Sequence, residues 1–326
     1  MDPSSMEDVE IMTELKRIGQ KSWNWGTKTR SGRRFVTLSA LCVAVLMSFY
    51  MVGPQTLQAL PELPEVSLDY GLSPFNHSKV AFLVENRPDP MLAPLILHMM
   101  SVVPPDWRFH FMGSESAVDK VKDSAAIMRQ VDVGKLDVTY IPENMSVAGQ
   151  EMISRFLTNT WTYEALLPAE HVLVYQTDSI FCANSMDDLD NWLIYDWVGA
   201  PWDPGNRYGG NGGLSLRKVS SILKVLYHQQ RANNSEAEDV WLTERLGHLP
   251  NAKVANGTEA YAFSGEMRWS DEPMGYHTGG SGRTLHSDVW GTPEKRATVF
   301  NYCPEMKMEF AMDISSFFGS KCGEYW

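Results

Sequence analysis

The chain has 326 residues, 44% of them hydrophobic and 21% charged, the balance of a protein that folds around a core. A net charge of −12 argues against a nucleic-acid binder, which needs a basic face, so no nucleic-acid partner is expected. The length suits one large α/β domain or two small ones.

In chain order, the first distinctive stretch is Phe35 to Val52, eighteen residues without a charge. That is just long enough to cross a bilayer. Lys28, Arg30, Arg33 and Arg34 precede it, and a basic flank of this kind stays cytosolic. Residues 1–34 are therefore read as a cytosolic tail and 35–52 as a transmembrane anchor, with the remainder in the lumen. A cleaved signal peptide is the rival reading, but the long polar lead and the length of the apolar core oppose it. Residues 53–78, with Pro54, Pro61, Pro64 and Pro74 and no sustained period, read as a stem. Four sequons, at Asn76, Asn144, Asn233 and Asn256, all follow the apolar segment and mark candidate N-glycosylation sites.

From residue 79 the pattern becomes strand, helix, strand, helix, which means βαβ units and a largely parallel sheet. Val80–Val84 is a buried-strand run broken by Glu85-Asn86-Arg87-Pro88. Leu92–Val103 suits a helix, Arg108–Met112 a strand, Glu115–Gln130 a helix, Leu136–Ile141 a strand and Met152–Leu167 a helix. The stretch from Glu170 to Ser179 follows, an apolar run ending in a polar tip that carries Asp178. Beyond it come a short helix (Met186–Leu193), an aromatic strand (Tyr195–Trp202), a glycine-rich loop (Gly209–Gly213), a strand-like LSLR and a helix (Lys218–Gln230). The domain is expected to span 79–285, with 286–326 as a C-terminal extension.

Ligands of open α/β sheets bind beyond the carboxyl ends of the strands, which is where Asp178 would sit. One carboxylate does not hold Mg²⁺ or Mn²⁺ alone; such ions take one or two carboxylates plus substrate phosphates, so a nucleotide diphosphate is a natural partner. The competing role for Asp178 is a turn or helix cap. Glu238 and Asp239 open an amphipathic stretch, where they either favour the helix dipole or serve one cleft as a general base. His277, in Pro273–Gly280, is either an ordinary histidine or a further ligand to the ion. Trp202 and Tyr208 (with Trp197) could stack on a bound ligand or belong to the core. Of four cysteines, Cys42 falls in the anchor and Cys182 reads as a small buried residue. Cys303 and Cys322 could pair in an oxidising lumen or remain two thiols.

Together and in this order, Gln176-Thr177-Asp178, Gly209–Gly213, Glu238-Asp239 and His277 resemble the motifs of GT-A nucleotide-sugar glycosyltransferases. More closely, VAFLVENRP, HMMSVVPPDWRFHFMGS, VYQTDSIFC, DWVGAPW, GGNGGLSLR and EDVW are similar to a fungal membrane-anchored family of unknown function with a glycosyltransferase-like fold. The resemblance covers about residues 79–280. It implies an α/β GT-A-like domain: a Rossmann-like, mostly parallel central sheet flanked by helices, here behind an N-terminal transmembrane helix. It also implies transfer of a sugar from a nucleotide-diphosphate sugar to a hydroxyl on a glycan, protein or lipid acceptor, with Mn²⁺ or Mg²⁺ as cofactor. The ion would sit on Asp178 and His277. The donor would meet Glu85, Arg87, Gln176, Thr177, Gly210, Gly212 and Gly213, and Asp239 or Glu238 would take the acceptor's proton. The expected location is a Golgi or ER membrane, single-pass type II with the catalytic domain lumenal. One departure stands out: position 176 is Gln where the metal motif has its first Asp. The alternative function is therefore a catalytically silent lumenal sugar- or nucleotide-binding protein on the same fold.

Overall fold

A computed structural model describes residues 3–58, 73–203, 205, 209–279 and 285–309. The chain forms two units, Met1–Tyr70 and Gly71–Trp326. The first contains helices Pro3–Lys28 and Arg30–Gln58. Within the second helix, Arg30–Ser48 is long and apolar enough to cross a membrane by length and composition. The helix continues past the expected anchor into residues 53–58, so the expected stem begins as helix. It also ends as strand, because residues 76–78 already belong to the domain.

The described residues of the second unit form nine strands: β1 Asn76–Glu85, β2 Trp107–Gly113, β3 Leu136–Tyr140, β4 His171–Tyr175, β5 Ser179–Phe181, β6 Trp197–Ala200, β7 Asn211–Lys218, β8 Ser264–Gly265 and β9 Gly275–His277. Six make the main sheet in the order β3-β2-β1-β4-β7-β6, and three make a small sheet, β5-β9-β8. β1 to β4 are mutually parallel, whereas β7 runs against both of its neighbours. The expected mixed α/β architecture with a mostly parallel central sheet is the one observed.

Alternation within β1 explains why its sequence is apolar throughout. Ala81 and Leu83 enter one core, with Leu95, Ile96 and Met99 of helix Leu92–Val102. Val80, Phe82 and Val84 enter the other, with Phe156, Ile222 and Leu242 from helices on the opposite face. A sheet covered on both faces needs apolar residues at odd and even positions alike. Two expected helices are each divided. Ser124 caps a new helix, Ala125–Asp132, after Glu115–Lys122 has ended. Asn159 likewise caps Thr160–Glu164 after Gln150–Leu157. Side-chain oxygens that accept helix N–H groups end one helix and start another, which hydrophobic spacing alone does not report. The expected short helix after Cys182 is a 3-10 turn, Leu189–Trp192.

Three expectations change more substantially. The first changes only in part: the apolar run ends before its polar tip as expected, β4 stopping at Tyr175 with Asp178 beyond it, but, unexpectedly, Ser179 opens β5 of the other sheet. Gly212 and Gly213 lie inside β7 rather than in a loop, and His277 ends a strand. Cys303 does not pair with Cys322; it is bonded to Cys182, and Cys322 lies outside the described residues. This bond fastens the C-terminal extension to the end of β5. The attachment is reinforced where Glu305 Oε1 accepts the Ala183 N–H (2.7 Å), Tyr302 O accepts from Asn184 Nδ2 (2.7 Å) and Tyr302 OH donates to Pro273 O (2.9 Å).

The disulfide links positions 121 residues apart, a long loop whose closure restricts the unfolded chain. Replacing both cysteines, Cys182→Ser with Cys303→Ser, is expected to lower stability by about 2–4 kcal/mol. Urea denaturation of the variant against the oxidised parent measures it, and coincident midpoints would contradict it.

Candidate functional site

The main sheet changes direction of growth between β1 and β4: β2 and β3 lie to one side of β1, and β4 lies to the other. At such a switch point the loops leaving the two strands diverge and open a crevice at their carboxyl ends. Here the crevice is a cavity of about 800 Å³. Its walls include Glu85 and Arg87 after β1, Gln176, Thr177 and Asp178 after β4, Gly213 of β7, Glu238 and Asp239 of helix Glu238–His248, and His277 of β9. Residues from these five separate parts of the chain therefore line one hollow.

Hydrogen bonding between backbones brings Asp178 and His277 together. The chain turns tightly after Tyr175: Ser179 N–H reaches Gln176 O at 3.1 Å, while the Ser179 hydroxyl accepts the Gln176 N–H at 2.8 Å. β5 then pairs antiparallel with β9, setting Ser179 directly opposite His277. Thr278 N–H completes the register on Asp178 O at 2.8 Å. Asp178 Oδ1 consequently stands 3.6 Å from His277 Nε2, and Glu266 Oε1 stands 3.3 Å from Nδ1. Neither approach has hydrogen-bond geometry, and both ring nitrogens are buried without a hydrogen-bond partner. Burial by itself pulls the imidazole pKa down, but Asp178 and Glu266 outweigh it and push His277 up to about 10, so an ion held at Nε2 would have to displace a proton from the ring.

An oxygen and an imidazole nitrogen facing each other at 3.6 Å, both on the wall of a solvent-connected cavity, suit two adjacent positions around a divalent ion. Among the described residues, no group of three or more His, Cys, Asp or Glu side chains is arranged to hold a metal by itself. The donor set thus fits an ion that completes its shell with ligand oxygens and water, as Mg²⁺ and Mn²⁺ do at diphosphates.

Opposite lies a fork. Glu85 Oε1 accepts N–H groups from Asn86 (2.8 Å), Arg87 (2.9 Å) and Arg87 Nε (3.0 Å), and Oε2 takes Arg87 Nη2 at 2.6 Å. Arg87 Nη2 also donates to Thr177 Oγ1 at 3.2 Å, joining the β1 and β4 loops. Glu85 first, then Asp89 and Asp178, raise the Arg87 pKa against burial, so the guanidinium is cationic and half-exposed at the mouth.

The glycines act differently from expectation. A Cβ on Gly213 would fall 2.3 Å from His277 Nε2 and 2.8 Å from Gln176 Oε1, so glycine there makes room for the site itself. Gly212 and Gly210 do not line the cavity. A Cβ on Gly212 would lie 2.2 Å from Glu238 Oε1, and one on Gly210, where φ is +153°, would lie 2.5 Å from Gly199 O. Their close approaches are to protein, not to a ligand. Trp202 is half-buried and is not part of the wall either. Trp197 is core, beneath Arg217 with the guanidinium 4.3 Å from its ring. Tyr208 lies outside the described residues.

Glu238 and Asp239 separate into two roles. Arg217 is completely buried; Nη2 donates to Glu238 Oε1 at 2.9 Å, Nη1 to Oε2 at 3.1 Å and to Tyr163 OH at 2.9 Å. Glu238 holds the guanidinium charged, its pKa raised above the ordinary arginine value despite burial. Glu238 is thereby a counter-ion to Arg217, while burial pushes its own carboxyl up to about 7. Asp239 is turned by its own contacts, Oδ2 accepting the Gly212 N–H at 3.0 Å and Oδ1 the Val240 N–H at 2.8 Å. It has no basic side-chain partner among the hydrogen bonds and ion pairs of the described residues.

Sequence reasoning missed Glu266, Asn211 and the wall formed by residues 147–150 with Ile153 and Ser154. Asn211 sits among the glycines that drew attention, and its Oδ1 accepts the Gly213 N–H at 2.6 Å. Glu266 has no local signal at all. The sequon asparagines Asn76, Asn144, Asn233 and Asn256 are all exposed, though Asn256 also caps Gly257–Ala260 through its side-chain oxygen.

Residues 135–277 match the family model described as a protein of unknown function (DUF5672). No curated protein matches the chain. Similar solved structures include a mannosyltransferase from Pyrobaculum calidifontis in complex with GDP-mannose and Mn²⁺. It is 12% identical with a TM-score of 0.37, over 64% of this chain and 61% of that one. The core-mannan synthase A from Aspergillus fumigatus, in its Mn/GDP form, is 8% identical with a TM-score of 0.39, over 70% of this chain and 88% of its own. An active-site mutant of LgtC is 15% identical with a TM-score of 0.39, covering 68% and 95%. The chain thus spans under two thirds of the first of these.

The division of roles is open to measurement. Glu238→Gln leaves Arg217 buried without its counter-charge and is expected to cost about 3–5 kcal/mol of stability. Asp239→Asn keeps one acceptor oxygen and is expected to stay within about 1 kcal/mol of the parent. Chemical denaturation of both variants checks this; equal losses would refute the distinction.

Proposed function

We propose that this protein transfers a sugar from a nucleotide-diphosphate sugar to a hydroxyl acceptor, with a divalent ion at Asp178 and His277. The observation that carries the reading is the meeting of these two side chains, 3.6 Å apart, on the wall of an 800 Å³ cavity at the sheet's switch point. A cavity of that size is appropriate for a nucleotide sugar. When bound, the Mn²⁺ or Mg²⁺ ion supplies charge neutralisation to the departing diphosphate.

The chain's own side chains take the remaining tasks. Asp178 and His277 hold the ion. Arg87, anchored by Glu85, faces diphosphate oxygens and offsets their charge. Thr177 and Gln176 meet the donor from the β4 loop, where the neutral Gln176 can hydrogen-bond a ribose hydroxyl. Asp239 accepts the acceptor hydroxyl's proton as its oxygen bonds to the anomeric carbon, and the bond from that carbon to the diphosphate oxygen breaks. The acceptor, a glycan, protein or lipid, enters from the side of Asn211 and Asp239.

The apolar helix Arg30–Ser48 and its basic residues favour a single-pass, type II orientation in a Golgi or ER membrane. The Cys182–Cys303 bond favours the same lumenal placement of the domain, because such bonds persist in oxidising compartments. The exposed sequons are then available for glycosylation.

Gln176 favours a second reading, a catalytically silent binder of nucleotides or sugars, because it withholds a negative charge from the metal motif. A single experiment separates the two. Purified protein with Mn²⁺ is given a panel of nucleotide sugars, and released nucleoside diphosphate is measured. The expected outcome is turnover of one donor, reduced at least about a hundredfold in Asp178→Asn and in Asp239→Asn. Binding without turnover across the panel would support the silent binder, and neither binding nor turnover would defeat both.

A further inference from the structure

The basic run before the apolar segment has no part in the cavity of the second unit. From Lys16 to Arg34 the chain carries seven basic residues and no acidic one, in a protein whose net charge is −12. Three of them converge. Arg30, Arg33 and Arg34 line a shallow hollow of about 510 Å³ together with Thr37, Leu38 and Leu41, all on helix Arg30–Gln58. Positions 30, 33, 34, 37, 38 and 41 recur at steps of three and four, so they form one stripe along the helix. The stripe is divided, with guanidiniums at its start and the exposed side chains of Leu38 and Leu41 at its end.

Among the described residues nothing offsets the three charges. The ion pair of this unit joins Arg17 to Glu14 at 2.6 Å, and no guanidinium of Arg30, Arg33 or Arg34 enters a hydrogen bond or ion pair. No acidic side chain lines the hollow. Trp23 and Trp25 are exposed just before it in the chain, and such indoles sit at the level of lipid headgroups. Orientation in a membrane needs only a number of basic residues beside the span, not their convergence above an apolar stripe. That convergence matches the two halves of a phospholipid: forked donors for phosphate oxygens, then a surface for an acyl chain.

We propose that this stripe binds an anionic phospholipid of the cytosolic leaflet whose headgroup carries a phosphate monoester. Charge selects the class. A diester phosphate alone brings a single negative charge to the three guanidiniums, whereas a monoester adds about −1.5 to −2. Leu38 and Leu41 select a lipid over a free phosphate compound, which would leave both leucines uncovered. The inference rests on the membrane-spanning reading of Arg30–Ser48 and is independent of the sugar-transfer reading.

For the test, full-length protein is reconstituted in phosphatidylcholine vesicles containing phosphatidic acid or the same mole fraction of phosphatidylserine. Resistance to alkaline carbonate scores insertion, and native mass spectrometry after release in mild detergent counts the lipids retained. The parent is expected to resist extraction and to retain phosphatidic acid about tenfold or more over phosphatidylcholine. Arg30→Gln with Arg33→Gln and Arg34→Gln is expected to lose that preference. Lys16→Gln with Lys21→Gln and Lys28→Gln, an equal loss of charge outside the hollow, is expected to keep it. Equal losses in the two triple variants, or equal retention of phosphatidylserine by the parent, overturn the inference. Should the arginine-to-glutamine variant not insert, Arg30→Lys with Arg33→Lys and Arg34→Lys decides. It keeps the charge without the fork and is expected to retain less phosphatidic acid than the parent; parent-like retention overturns the inference. A parent that resists carbonate but shows no preference overturns the inference alone. A parent that carbonate extracts overturns the spanning reading with it.

Discussion

The antiparallel pairing of β5 with β9 is the constraint on which the site depends. Each is only three residues long, yet together they fix Ser179 opposite His277, about a hundred positions apart in the chain. A one-residue slip would turn the imidazole to the other face of the small sheet, because side chains alternate along a strand. The slip is opposed on both sides. Thr278 N–H and hydroxyl both donate to Asp178 O, and Cys182 N–H donates to Met274 O at the far end of the pair. Gly275 adds a steric condition, since a Cβ there would lie 2.3 Å from Ile180 O.

Behind this pair, β7 brings the backbone unusually close to charged side chains. Arg217 folds back along its own strand to donate to Ser215 Oγ and Gly212 O, while Glu238 reaches it from helix Glu238–His248. A fully buried guanidinium is tolerated because nearly all of its donors are used and its face rests on Trp197. The glycines at 212 and 213 are the other half of that arrangement. One admits the Glu238 carboxylate and the other admits His277 and Gln176, so two adjacent missing side chains serve opposite faces of one strand. Helix Glu238–His248 is thus pinned at its first residue, and Asp239 is presented to the cavity as a result.

The parts legible in the sequence were those with local causes. Val80–Val84 and Val172–Tyr175 are apolar at every position because both sheet faces are covered, and with the more mixed edge strand Leu136–Tyr140 they read directly as strands. Asp178, His277 and Asp239, singled out by their places after a strand, among glycines and at a helix start, and Glu85 and Arg87, implied by the family resemblance, all line the cavity. What the sequence concealed depended on partners distant in the chain. Nothing near Glu238 reveals that Arg217 occupies it, nothing near Cys303 selects Cys182 over Cys322, and Gly212 gives no sign that its space is filled by a carboxylate. Divided helices were missed for a smaller reason: Ser124 and Asn159 are capping residues set within otherwise continuous apolar spacing.

The topology also accounts for how one cavity could serve two substrates. The parallel half of the sheet delivers Glu85, Arg87 and the β4 loop, an anion-facing wall with a cation at its mouth. The antiparallel half, entered through β7, brings Asn211 and Asp239 to the cavity lining. Asp178 and His277 stand between them because β5 leaves the main sheet and crosses to the small one. On the proposed reading, charge separates the substrates: a diphosphate prefers the arginine side, and a neutral hydroxyl is the group that can approach Asp239 without repulsion. On the same proposed reading, bond formation takes place across the line between the two halves, where the chain changes from parallel to antiparallel order.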